Sequence, residues 1–166
     1  MKISLRSAPL RHAMTAMLAV ASVLAMTARA QDAPANPWAA AQVTQPSAMV
    51  AVLANSKGTK PVILQVGFQV LYKSKHIPGS IYAGPVSTPE GLEALKQAVR
   101  TVPKNADIYV YCGCCPIGKC PNIRPAFATL KAMGFTHLHV VMLETSFGKD
   151  WVAHGYPVAG ESAPGQ

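Results

Sequence analysis

The chain is 166 residues long, the length of one domain, and its formal charge of +8 is weighted to one end: Lys2, Arg6, Arg11 and Arg29 precede Gln31, leaving 11 basic against 7 acidic residues beyond. Those charges are scattered, with no Lys/Arg run interleaved with aromatics, which excludes a nucleic-acid partner of any recognisable motif. A mildly positive surface suits small anionic partners instead.

The N-terminus carries basic residues, an apolar run over 13–28 and the tripeptide Ala28-Arg29-Ala30, the layout of a secretory signal peptide cleaved after Ala30. That run of about 16 weakly hydrophobic residues is short of the ~20 that span a bilayer, and no later stretch approaches this length. The signal peptide is therefore assigned to 1–30, the mature protein is expected to be periplasmic or secreted, and no stable membrane insertion is expected. Residues 31–42 read as a flexible N-terminal arm from which Trp38 can dock, 43–160 as the domain and 161–166 as a tail.

Within the domain, a short helix is expected from about Ser47 to Ala54, with Ser47 as its cap and Met49, Val50 and Leu53 on one face. Pro61 to Val66 is a continuous apolar run of strand length, as in strands covered on both faces. Gly67 to Gly84 has little regular pattern apart from a turn at Pro78-Gly79 and a short strand at Ile81-Tyr82. The clearest helix runs from Thr88 to Thr101, with Pro89 in its first turn, Ser87 and Glu90 at capping-box spacing, and Leu92, Leu95 and Val99 along one side.

Asp107 to Cys112 is a β-branched and aromatic strand that ends at the first cysteine. A helix is expected over Arg124 to Met133, with Pro125 in its first turn, Phe127 and Leu130 inward and Gly134 ending it; His137 to Leu143 is a further buried strand. Strands separated by helices make an α/β domain with a mainly parallel sheet, and in such sheets sites lie beyond the carboxyl ends of strands. Cys112 stands at such an end.

All four cysteines fall between Cys112 and Cys120. An even number in an exported protein favours disulfides, although crowding into one loop is not a framework that ties distant segments together. A nucleophilic thiolate needs positive potential. A loop between a strand end and a helix start supplies it through converging backbone N–H groups and the helix dipole. Gly113 and Gly118 are expected to permit the tight backbone, and Lys119 and Arg124 to add charge for an anionic substrate. Four thiolates also suit zinc, and fewer suit Cu(I). The adjacency of Cys114 and Cys115 and the lack of two separated knuckles speak against it, so the leading expectation is no metal and no cofactor, with a Cys-cluster zinc or copper binding protein kept as an alternative. A c-type haem is excluded, because no cysteine pair is followed by His. His76 reads as a loop brace, His137 and His139 as surface residues sharing one strand face, and Tyr109, Tyr111 and Phe127 as core or pocket wall.

The strand, cysteine, loop and helix from Ile108 to Phe135 resemble the central unit of the rhodanese-like domain family. His76-Ile77-Pro78-Gly79-Ser80-Ile81 is similar to the family's HIPGA segment, and Leu143-Glu144 with Trp151, Gly155, Tyr156 and Pro157 resembles its closing LEGG, Trp, GYP pattern. The resemblance covers Val43 to Val158. It implies the family's parallel α/β fold and a sulfurtransferase: Cys112 takes sulfane sulfur from a donor such as thiosulfate, becomes a persulfide, and passes the sulfur to cyanide or to a thiol on a small molecule or protein. Two departures stand out. The family's Asp and Arg after the first strand are replaced by Gln65-Val66-Gly67, and the loop after Cys112 is longer than usual and holds Cys114, Cys115 and Cys120 as auxiliary or resolving thiols. The insertion leaves open a shift of the reactive role to one of these three, and a noncatalytic redox or binding module on the same fold also stays open.

Overall fold

Five strands, β1 (Val43–Thr44), β2 (Val62–Gln65), β3 (Ile81–Tyr82), β4 (Ile108–Tyr111) and β5 (Leu138–Val141), form one sheet in the order β1-β5-β4-β2-β3, parallel at every pairing. The computed structural model describes residues 36–55 and 60–161. The expected signal peptide, its cleavage site and residues 162–166 of the tail lie outside them. Among the described residues, no helix is long and apolar enough to cross a membrane.

Parallel neighbours need crossovers, and a helix lies between each pair of successive strands: α1 (Pro46–Ala54), α2 (Gln69–Ser74), α3 (Pro89–Ala98) and α4 (Ile123–Ala132), with α5 (Phe147–Asp150) following the last strand. Side chains alternate across each strand, so the sheet has two apolar faces. Leu64, Val66, Ile108, Val110, Leu138 and Val140 pack with Leu95, Phe127 and Leu130 of α3 and α4. Ile63, Tyr111, Val141 and Leu143 pack on the other side with Met49 of α1 and with Trp151. The alternation along β4 carries Cys112 onto the α4 face, two residues after Val110.

The α/β class and the parallel sheet agree with the sequence reading; several local details differ. Helix α1 starts one residue before the expected Ser47 cap, with Pro46 in its first turn and Gln45 preceding it. In α3 the cap is Thr88 rather than Ser87: the Thr88 hydroxyl accepts from the Gly91 amide at 3.1 Å. Helix α2 is absent from the sequence reading because it is amphipathic in no useful sense, with Val70 and Leu71 exposed. Trp38 docks as the sequence allowed, 8% exposed and edge-on to Phe127 with ring centroids 5.6 Å apart. Beside it, Ala40–Gln42 forms a 3-10 turn, and the Gln42 side chain donates to the Leu138 carbonyl.

Candidate active site

β4 lies between β2 and β5, and the chain leaves its carboxyl end directly into Cys112. Gly113 then turns the backbone with φ +76°, where a Cβ would stand 2.6 Å from that of Phe147. Glycine is therefore required there on two grounds, conformation and space. Gly118 has no such constraint, with an ordinary φ and open space around it, so the expectation that both glycines shape the loop holds for Gly113 alone.

The loop is held mainly by its carbonyls. Gly113 O accepts from the Phe147 amide at 3.0 Å, Cys112 O from Gln65 Nε2 at 3.0 Å, and Ile117 O and Gly118 O from Arg124 Nη1 at 3.5 and 3.3 Å. The Ile117 amide in turn donates to Leu143 O. Gln65 is buried at the end of β2, where the family carries an acidic residue, and it braces the loop without charge. Its Oε1 has no partner among the described residues, which leaves an acceptor beside the loop.

The sulfurs converge. Cys112 Sγ lies 3.2 Å from Cys114 Sγ, and Cys114 Sγ lies 3.1 Å from Cys115 Sγ. Cys112, Cys114 and Cys120 form a set whose sulfurs are all within 4.8 Å of one another. Asn122, fully buried, bridges loop and scaffold: its Nδ2 donates to Cys112 Sγ at 3.5 Å while its Oδ1 accepts from the Ser87 amide at 2.9 Å. Cys112 and Cys120 are buried, and Cys114 and Cys115 are half-buried.

The thiols of Cys112 and Cys120 are shifted in opposite directions. Cys120 is held below the ordinary thiol range, first by the hydrogen bond from Cys112 and then by the amides of Asn122 and Ile123, against the opposing effect of burial. Cys112 is pushed up, first by its hydrogen bond to Cys120 and then by burial. Burial, followed by the contact with Cys114, also pushes Cys115 up.

Two spaces meet at Cys112. One is a small niche walled by Ile117, Ile123, Val141 and Leu143, which Cys112 shares with Cys115 and Cys120. The other is an open cleft of about 430 Å³, with Cys112, Gly113 and Cys114 on one side and Gln65, Leu71, Tyr111 and Phe147 among the rest of its lining. Neither space is lined by Gly118, Lys119 or Arg124. Lys119 sits exposed on the 3-10 turn Ile117–Lys119, and Arg124 is engaged with loop carbonyls. The cation that lines the cleft is Lys75, just past α2. Sequence reasoning missed it with the helix, and it missed Gln65 and Asn122 as contacts of the loop. The substitution of Gln65 for the family's acidic residue was the one signal that pointed there.

The histidines stand apart from the cysteines. His76 braces its segment, with Nδ1 on the Tyr72 carbonyl at 2.6 Å and its ring stacked on that of Tyr72. His137 and His139 flank Asp107 at 3.7 and 3.6 Å, at the opening of β4, the strand end opposite Cys112. Tyr111 couples the His76 segment to the site, its hydroxyl accepting from the Ile77 amide at 3.1 Å and meeting Ser80 Oγ at 3.1 Å.

A parallel α/β sheet whose central strand delivers a cysteine into a loop that leads to a helix defines a class of cysteine-loop domains. A profile of the Rhodanese-like domain matches residues 49–153, and the chain belongs to that family. Solved structures agree on the fold. A crystal structure of the Alr3790 protein from Anabaena sp. is similar at 24% identity and TM-score 0.53, over 70% of this chain and 91% of that one. The solution structure of the rhodanese-like domain of the same protein gives 22% and 0.55, over 75% and 86%. The BH2092 protein of Bacillus halodurans gives 19% and 0.53, over 70% and 75%. No curated protein matches the chain.

Proposed function

We propose that the domain is a sulfurtransferase that carries sulfane sulfur on Cys112. The observation that carries this reading is the setting of Cys112: just past the end of the central strand, within reach of Asn122 Nδ2, with the Cys120 sulfur within 4.8 Å, and on the wall of the open cleft. Cys120 takes the Cys112 proton as the thiolate forms. The thiolate attacks the outer sulfur of thiosulfate, the donor S–S bond breaks, and sulfite leaves with the electron pair. The product is a Cys112 persulfide, and no external oxidant or reductant is needed.

Discharge follows from the neighbouring thiol. With its sulfur 3.2 Å from that of Cys112 and half-buried at the cleft, Cys114 is the auxiliary thiol best placed to act next. Attack by its thiolate on the outer sulfur moves that sulfur to Cys114. Attack on the inner sulfur forms a Cys112–Cys114 disulfide and expels hydrosulfide, after which a dithiol reductant restores both thiols. Lys75 gives the cleft a positive charge for an anionic donor. The signal-like N-terminus supports action outside the cytoplasm.

The test is mass spectrometry of reduced protein after thiosulfate. The parent is expected to gain the mass of one sulfur, mapped to the peptide holding Cys112, and Cys112→Ser to gain none. An undiminished adduct on Cys112→Ser overturns the assignment.

A further inference from the structure

Three sulfurs brought together by one folded loop exceed what sulfur transfer needs, which is one carrier and at most one resolving thiol. Cys112 follows β4, Cys114 follows the Gly113 turn, and Cys120 precedes α4, yet their Sγ atoms all lie within 4.8 Å of one another. We propose that Cys112, Cys114 and Cys120 form a three-coordinate site for Cu(I), a binding capacity distinct from sulfur transfer and in competition with it for Cys112.

The donor set selects the class of metal. Thiolates prefer soft ions such as Cu(I), and no histidine or carboxylate among the described residues joins this set. Geometry then separates Cu(I) from zinc. With a metal–sulfur distance of about 2.3 Å, the sulfurs around a trigonal ion stand roughly 4 Å apart, inside the spread of this triangle. The 3.2 Å edge between Cys112 and Cys114 must open, and Cys114 is the half-buried member, carried on a loop beside the cleft. A structural zinc site needs a fourth donor at tetrahedral distances from all the others. Cys115 is the one sulfur left, and although it touches Cys114 at 3.1 Å it stands outside the mutually close set.

The surroundings fit as well. Ile117, Ile123, Val141 and Leu143 wall the niche beside Cys112 and Cys120 and offer no further oxygen or nitrogen side-chain donor there. Three thiolates around one Cu(I) carry two net negative charges. Asn122 Nδ2 faces Cys112, and the Asn122 and Ile123 amides face Cys120, so the charge is met by hydrogen-bond donors already in place. Copper enters as Cu(I), the remaining thiol protons leave, and no electron is transferred.

The experiment is an anaerobic titration of the reduced protein with Cu(I) against the chromogenic chelator bicinchoninate. One Cu(I) per chain is expected to be retained, with Cys114→Ser and Cys120→Ser each weakening it by more than about a hundredfold, beyond the 10–100-fold typical of losing a residue that only supports a ligand. Cys115→Ser is expected to cost less than about tenfold on the same scale. Failure to hold Cu(I) against the chelator, an equal loss on Cys115→Ser, or displacement of Cu(I) by added Zn(II) overturns the site. The thiosulfate adduct, read by mass on the same preparations, keeps the two ideas apart. Far-UV circular dichroism reports folding of the variants; on the parent, an adduct without copper sinks only the metal site, and copper without an adduct sinks only the sulfurtransferase.

Discussion

The sheet and the cysteine loop are held by different means, though they meet at Cys112. The sheet is redundant: many apolar side chains fill two faces, and each strand amide is one rung of a ladder. The loop rests on a few singular contacts, namely Gln65 on Cys112 O, Phe147 on Gly113 O and Arg124 on the turn carbonyls. Damage to the sheet should therefore appear as lost stability with chemistry retained in the folded fraction, and damage to the loop as lost chemistry in a protein that still folds.

The largest expected effect comes from the sheet. Leu64→Ala empties a fully buried position and should cost about 2–5 kcal/mol in chemical denaturation. The thiosulfate adduct should still form on the molecules that remain folded; its disappearance from them would erase the distinction. Gly113→Ala is next: a left-handed φ costs a side-chain-bearing residue roughly 1–2 kcal/mol, and the new Cβ must also displace Phe147. Adduct formation should fall far more than the denaturation midpoint, and an adduct rate equal to the parent's would show that the loop tolerates reshaping.

Gln65→Leu removes the hydrogen bond to Cys112 O and should lower stability by about 1 kcal/mol while slowing adduct formation, read by quenched time points. Lys75→Gln should leave the melt alone and raise the KM for thiosulfate by no more than about fivefold, the scale of an exposed charge, with the difference shrinking as salt is added. Gly118→Ala is expected to change neither quantity, staying within about 0.5 kcal/mol, since open space surrounds it and its φ is ordinary. A marked loss there would restore Gly118 to the role its sequence position suggested.

Continuous apolar runs made β2, β4 and β5 legible, because burial on both faces leaves that imprint on composition. The place of Cys112 past a strand's carboxyl end was legible too, since the strand pattern stops at that residue. β1 has two residues and α2 six, too short to display a period, and with α2 went Lys75. Arg124 and Lys119 show the limit from the other side. Charge near a loop is visible in sequence, but whether a guanidinium turns to a ligand or to the chain's own carbonyls depends on backbone direction, which composition does not encode. Asn122 hid for a related reason. It stands before a helix where a cap would be expected, yet its side chain serves Ser87 and Cys112 instead.

The central place of β4 also sets how the site opens in time. A strand flanked on both sides, with Ile108 and Val110 fully buried, belongs to the last segment of the domain to release its amide protons to solvent. Cys112 is the first residue beyond that slow segment, and the half-buried Cys114 lies just past it. The boundary between slow and fast hydrogen exchange should accordingly fall at Cys112, giving the proposed sulfur carrier a rigid mount and Cys114 the freedom to approach it.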